Sequence, residues 1–132
     1  MAIPSGSGTE VLKRHAVKAS GAGWTTIRWT EDLTALANTS AGGEAVPTNV
    51  ILTILTISMH NAHGSSTMGF ALTQDVAGTA DIYHLKIGVQ LIPPGDTYIF
   101  NDKIILYPTD KLKIYGNYAH HCIINYIKQD WT

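Results

Sequence analysis

Three side chains that can bind a soft or borderline metal stand side by side in YAHHC (118–122): His120, His121 and Cys122, the only cysteine of the chain. Two further histidines, His60 and His63, lie in HNAH (60–63). The chemistry on offer is metal ligation, or a thiol nucleophile served by an imidazole base. Spacing tests both. In an extended strand alternate side chains share a face, so His120 and Cys122 point one way and His121 the other. One strand then gives at most two ligands to one site, and His121 cannot act as the base of Cys122. Neither HHC nor HNAH has zinc-finger or ribbon spacing.

Metal-binding cupin jelly rolls place a His-x-His pair before a Glu, with another His further on. No His-x-His occurs here, and Glu10, Glu31 and Glu44 all precede the first histidine of either cluster. The expected role of HHC is therefore that of strand residues, half-buried or facing a partner, with no metal and no cofactor. Other catalytic patterns fail in the same way. There is no G-x-S-x-G. Asp75, Asp81, Asp96 and Asp110 sit where turns are expected, which explains them better than a pair of glycosidase carboxylates. GSG (6–8) and GAG (21–23) lack the Lys-Ser/Thr or the helix that a phosphate loop requires. No catalytic residue is assigned.

The elements that must position these groups read as β. VLKRHAV (11–17), WTTIRWT (24–30), VILTILTISMH (50–60), TMGFALTQD (67–75), ADIYHLKIGVQLI (80–92), TYIFNDKIILY (97–107), DKLKIYG (110–116) and HHCIINYIKQDW (120–131) are rich in β-branched and aromatic residues. NAHGSS, VAGT, PPGD, PTD and GN break them. Helical periodicity is almost absent. The spacing predicts an antiparallel β-sandwich, a jelly roll of about eight strands, over residues 11–132. VILTILTISM is expected to be buried on both faces, and its ILTILTI echo to be coincidence. Asn101-Asp102 either turns the chain or bulges one strand. Ile104, Leu106, Leu112 and Ile114 are expected to face one core. Residues 1–10, MAIPSGSGTE, read as a flexible arm. Residues 31–49 read as a long excursion at one end of the sheets.

Of the 132 residues, 45% are hydrophobic and 14% charged, with a formal net charge of −1. A typical globular chain carries roughly a quarter charged residues, so this composition suits a surface that meets other proteins. It carries no electrostatic footprint for nucleic acid. The start lacks the apolar region of a signal peptide, and residues 50–59 are too short for a membrane span. A lone cysteine suits assembly in a reducing compartment. Trp24, Trp29, Trp131 and the six tyrosines form either a carbohydrate platform or, more commonly, core and interface. Trp131 is useful so close to the end only if that end is docked, in its own sheet or on a neighbour.

Three blocks, IPSGSGTEVLKR, IFNDKIILYPTDKLKI and IKQDWT, give the chain a resemblance to small virion structural proteins of tailed bacteriophages, in particular jelly-roll head-decoration (cement) proteins. The resemblance implies a non-enzymatic protein, made in the host cytoplasm and resident on the capsid surface. It implies two partners: the major capsid protein, whose neighbouring copies it clamps after shell expansion, and itself, as a homodimer or homotrimer. Neither nucleic acid nor membrane is an expected partner. Ile3, Pro4, Val11, Leu12 and Trp131 are the candidate partner-binding residues. A tail-associated or receptor-binding module, able to bind carbohydrate, is the alternative, and a metal-dependent jelly-roll enzyme the third reading.

Overall fold

A computed structural model of the chain describes residues 8–19, 21–26, 29, 45–76, 82–84 and 90–131. Its strands are β1 (Thr9–Ala19), β2 (Gly23–Thr26), β3 (Val50–Asn61), β4 (Met68–Asp75), β5 (Ile82–His84), β6 (Gln90–Ile92), β7 (Thr97–Phe100), β8 (Ile104–Leu106), β9 (Lys111–Gly116) and β10 (His120–Asp130). Every pairing is antiparallel. One sheet runs β1-β10-β3-β7, with β8 also on β3; the other runs β2-β9-β4-β5, with β6 also on β4. β7 and β8 are two halves of one row, and so are β5 and β6. The ten segments thus make eight rows, ordered 1-8-3-6 and 2-7-4-5, which is the jelly-roll arrangement.

Alternation builds the core between the sheets. Leu52, Ile54, Ile57, Met59 and Ile124 come from one sheet, and Phe70, Leu72, Leu112 and Ile114 from the other; all are fully buried in one cluster. Ile104 and Leu106 join it, as the pattern predicts. Across the gap the rings of Phe70 and Tyr98 lie 6.1 Å apart. Truncating any of the large aliphatics to alanine costs roughly 2–5 kcal/mol.

The turns follow their residues. In PPGD, Asp96 N–H donates to Pro93 O at 3.1 Å and Gly95 takes φ +77°, a type II geometry with Pro94 at its second position. In YPTD, Asp110 N–H donates to Tyr107 O at 3.1 Å, while Thr109 takes φ +74° where glycine is the usual occupant. The Asp110 carboxylate accepts the Tyr107 amide at 3.0 Å, the turn role expected of it. Asp75 differs. It ends β4, is buried, and pairs with Lys113 Nζ at 2.8 Å.

Three expectations are corrected, at β1, at 97–107 and at β3. β1 begins at Thr9, inside the expected arm; residues 1–7, with Ile3 and Pro4, lie outside the described residues. Of the run 80–92, Ile82–His84 and Gln90–Ile92 are described and both pair with β4; the run 97–107 is two segments on β3. The break falls at Asn101-Asp102, which interrupts a row and does not turn the chain back. Of the 31–49 excursion only 45–49 is described, and that part is a connection outside the strands, held to the YPTD turn. Val46 is buried and bonds to the YPTD turn on both sides, its N–H to Asp110 O and its O from Thr109 N–H, each at 2.9 Å.

The third concerns β3, which is not buried on both faces. Tyr126 pairs with Ile54 but Asn125 pairs with Thr56, leaving Leu55 as an extra residue. This β-bulge switches the phase of the strand. Val50, Leu52 and Ile54 face the core before it, and Ile57, Met59 and Asn61 after it. The ILTILTI echo is the imprint of this switch. Ile51 aside, the outer face of the strand is half-buried.

Candidate functional site

Each histidine of the two clusters now has an environment. His120 and Cys122 point into the protein and His121 points out, as alternation requires. The His120 imidazole lies flat over Gly116, where a Cβ would come within 2.5 Å of Nδ1. Its Nδ1–H donates to Tyr118 O at 2.7 Å, which leaves Nε2 bare and buried, without a hydrogen-bond partner among the described residues. Burial lowers its pKa, the Tyr118 bond opposes that, and His121 adds to it. The Cys122 thiol is pushed up to about 12 by burial, so it is no thiolate at neutral pH. His63 is taken up by its own loop. Its Nδ1 accepts the amides of Ser66 at 3.0 Å and Ser65 at 3.2 Å, and its ring rests on Tyr118 with centroids 4.6 Å apart.

Between His60 and His63 stands a residue whose role the sequence does not signal. Asn61 is fully buried and all its side-chain polar atoms are used. Its Nδ2 donates to Ser66 O at 2.9 Å and Ile92 O at 2.8 Å, and its Oδ1 accepts the His63 amide at 2.9 Å. Its backbone pairs with Gly95 and Asp96 of the PPGD turn. HNAH is thus the joint where β3, a loop and a turn meet.

His60 and His121 do come together. They are directly opposed on β3 and β10, with ring centroids 5.9 Å apart. Lys18 is opposite His121 on β1, and Thr97 is opposite His60 on β7 with its hydroxyl 3.0 Å from Nδ1. Desolvation, then Lys18, then His60 lower the pKa of His121. Among the described residues no group of three or more His, Cys, Asp or Glu converges on a common point.

The same register sets out a different surface. The outer face of the first sheet carries a cross-strand row of Leu12, Ile127, Thr53 and Ile105. A second row holds Ala16, Ile123, Ser58 and Ile99. Leu12 is 70% exposed, Ile99 59%, Ile105 49% and Ile123 41%. Between the rows lie Arg14, Asn125 and Thr56, with Asn125 Nδ2 donating to Thr56 Oγ1 at 2.8 Å. Exposed aliphatic rows of this kind, edged by polar and charged groups, are what a protein-docking face looks like. Sequence reading singled out Leu12 but not the isoleucines. Their signal is present: Ile104-Ile105 and Ile123-Ile124 put apolar residues on both parities of a strand.

Of the other candidate contact residues, Val11 is exposed on β1, where residues Thr9–Arg14 are exposed whichever way they point. Trp131 is docked in its own sheet. Its N–H donates to Asn49 O at 3.0 Å, and its indole covers Gly8, where a Cβ would sit 2.9 Å from Cδ1. Gly8 is therefore not a loose arm glycine but the floor under an aromatic ring. Trp29 is buried, its ring edge-on to Tyr126 at 5.2 Å and 6.0 Å from His15.

No family model and no curated protein matches the chain. Among solved structures it is similar to a chain in the structure of infectious bursal disease virus, Gt strain, with a TM-score of 0.32 and 9% sequence identity. The likeness covers 90% of this chain and 37% of that one, so the chain spans well under half the length of its neighbour.

Proposed function

We propose that the chain is a virion structural protein of a tailed bacteriophage, a decoration protein that docks on neighbouring major capsid proteins and clamps them. One observation carries this reading: the uncovered aliphatic rows on the outer face of the first sheet. Apolar surface taken out of water contributes roughly 25 cal/mol per Å², so a face with Leu12, Ile99, Ile105 and Ile123 gains by being covered. Two further points support it. The chain is poor in charge, and the histidine and cysteine groups able to do chemistry are mostly buried or engaged in holding the fold. Many copies on a lattice turn a modest contact into a firm coat. No catalysis is assigned to the protein.

The carbohydrate-binding alternative needs an exposed aromatic platform. Among the residues whose exposure is described, which leave out Trp24 and Tyr83, Tyr107 is the one large aromatic that is strongly exposed, while Trp29 is buried and Trp131 lies on Gly8. The test is location and copy number in purified particles, by quantitative mass spectrometry of heads and tails. Hundreds of copies on the head are expected. A handful at one vertex overturns the decoration role in favour of a tail-associated one. The double substitution Ile105→Lys with Ile123→Lys, on a solvent-facing surface, is expected to fold and to lose head binding. Wild-type occupancy by that variant would reject the face.

A further inference from the structure

We infer that two copies of this chain pair edge to edge through β1, antiparallel about a two-fold axis at Leu12, joining their first sheets into one continuous sheet. β1 is eleven residues long and bonds on one side to β10; among the described residues no strand occupies its other side. A long open edge is a template for another strand. A two-fold axis makes an antiparallel strand pair with itself, because the contact is isologous.

Charge narrows the register: like charges disfavour axes at Glu10, Lys13 and Arg14, and the axis at Leu12 is the one that sets Glu10 against Arg14. In an antiparallel pair about Leu12, Leu12 faces Leu12 of the second copy and Glu10 faces Arg14 at both ends of the contact. Val11 then faces Lys13, and Gly8 faces Ala16. No like charges meet. Centring the axis on Lys13 would set two lysines face to face, and centring it on Arg14 would do the same with two arginines, each unfavourable for a directly opposed pair. A second observation picks the same register independently. Leu12 heads the row Leu12, Ile127, Thr53, Ile105 on the outer face. With Leu12 on the axis, the rows of the two copies run on as one line across eight strand rows. Moving the axis off Leu12 would break that line. The exposure of Val11 and Leu12, on opposite faces of the same strand, fits a strand that gains its neighbour from outside.

The inference concerns the chain's own edge and stands apart from the virion reading. The full-length protein is expected to sediment as a dimer at micromolar concentration. Glu10→Lys sets a lysine against Arg14 at both ends and is expected to weaken the dimer by about tenfold or more. Adding Arg14→Glu restores opposite charges and is expected to recover dimerisation, an outcome that a merely unfolded variant could not give. Cys122 is buried, so Leu12→Cys places the one reactive thiol of the protein on the axis. Mild oxidation is expected to give a disulfide-linked dimer from Leu12→Cys, and little from Arg14→Cys. A wild-type monomer would overturn the inference. So would an oligomer indifferent to Glu10→Lys, or a charge-swapped double variant that stays monomeric.

Discussion

His15 and His120 are imidazoles kept neutral inside the protein, and that makes the fold sensitive to acid. Burial against Trp29 lowers the pKa of His15 from 6.5 to about 4. The unfolded chain, with its ordinary histidine, takes up a proton as pH falls below 6.5, while the folded chain refuses one until about 4. The histidine contribution to stability is therefore full above pH 6.5, falls between 6.5 and 4, and is gone below. His15 alone accounts for roughly 3 kcal/mol of that loss, and His120 shifts in the same direction. Urea midpoints at pH 7.5 and 4.5 are expected to differ markedly in the wild type and much less in His15→Phe. An equal drop in both would show that His15 is not the group. At this scale the facing of HHC is legible, because the two-residue period of a strand decides it. The burial of His15 is not, since it depends on Trp29, and the seat of His120 on Gly116 forms only when a turn folds back.

The eight runs and their breakers are legible at the scale of elements, because alternation and Gly/Pro chemistry are local. The bulge at Leu55 is harder. ILTILTI carries apolar residues on both parities, and only pairing with β10 shows which of them is extra. The geometry makes an unusual prediction. Deleting Leu55 leaves Ile54, Thr56 and Ile57 in plain alternation, each already opposite the partner that a regular strand would give it. The deletion variant is expected to keep a cooperative unfolding transition, although a one-residue deletion in a central strand normally inverts its faces. Deleting Ser58 is the control. It leaves Thr56 in the core and Ile57 outside, a core loss of roughly 2–5 kcal/mol. Loss of cooperative unfolding in the Leu55 deletion alone would show that the bulge is required.

For the whole molecule, β3 and β10 are the central strands of the first sheet, and β1 closes it from the far end of the chain. Such topology is invisible to local pattern, because strands more than a hundred residues apart must find each other. It also grades stability. Hydrogen exchange is expected to be slowest in β3 and β10, and fastest in that sheet over Thr9–Arg14, where neither face is covered. Uniform protection along β1 would contradict this, unless a dimer supplies it, in which case protection falls on dilution. The pairing of Thr9 with Asp130 has one more consequence. The start of β1 and the end of β10 meet at one corner, so tension between them peels β1 from β10 one residue pair at a time, like a zip. Force spread over the outer face meets all the strands at once. A molecular clamp built on this fold should be gripped by its face and not pulled by its ends.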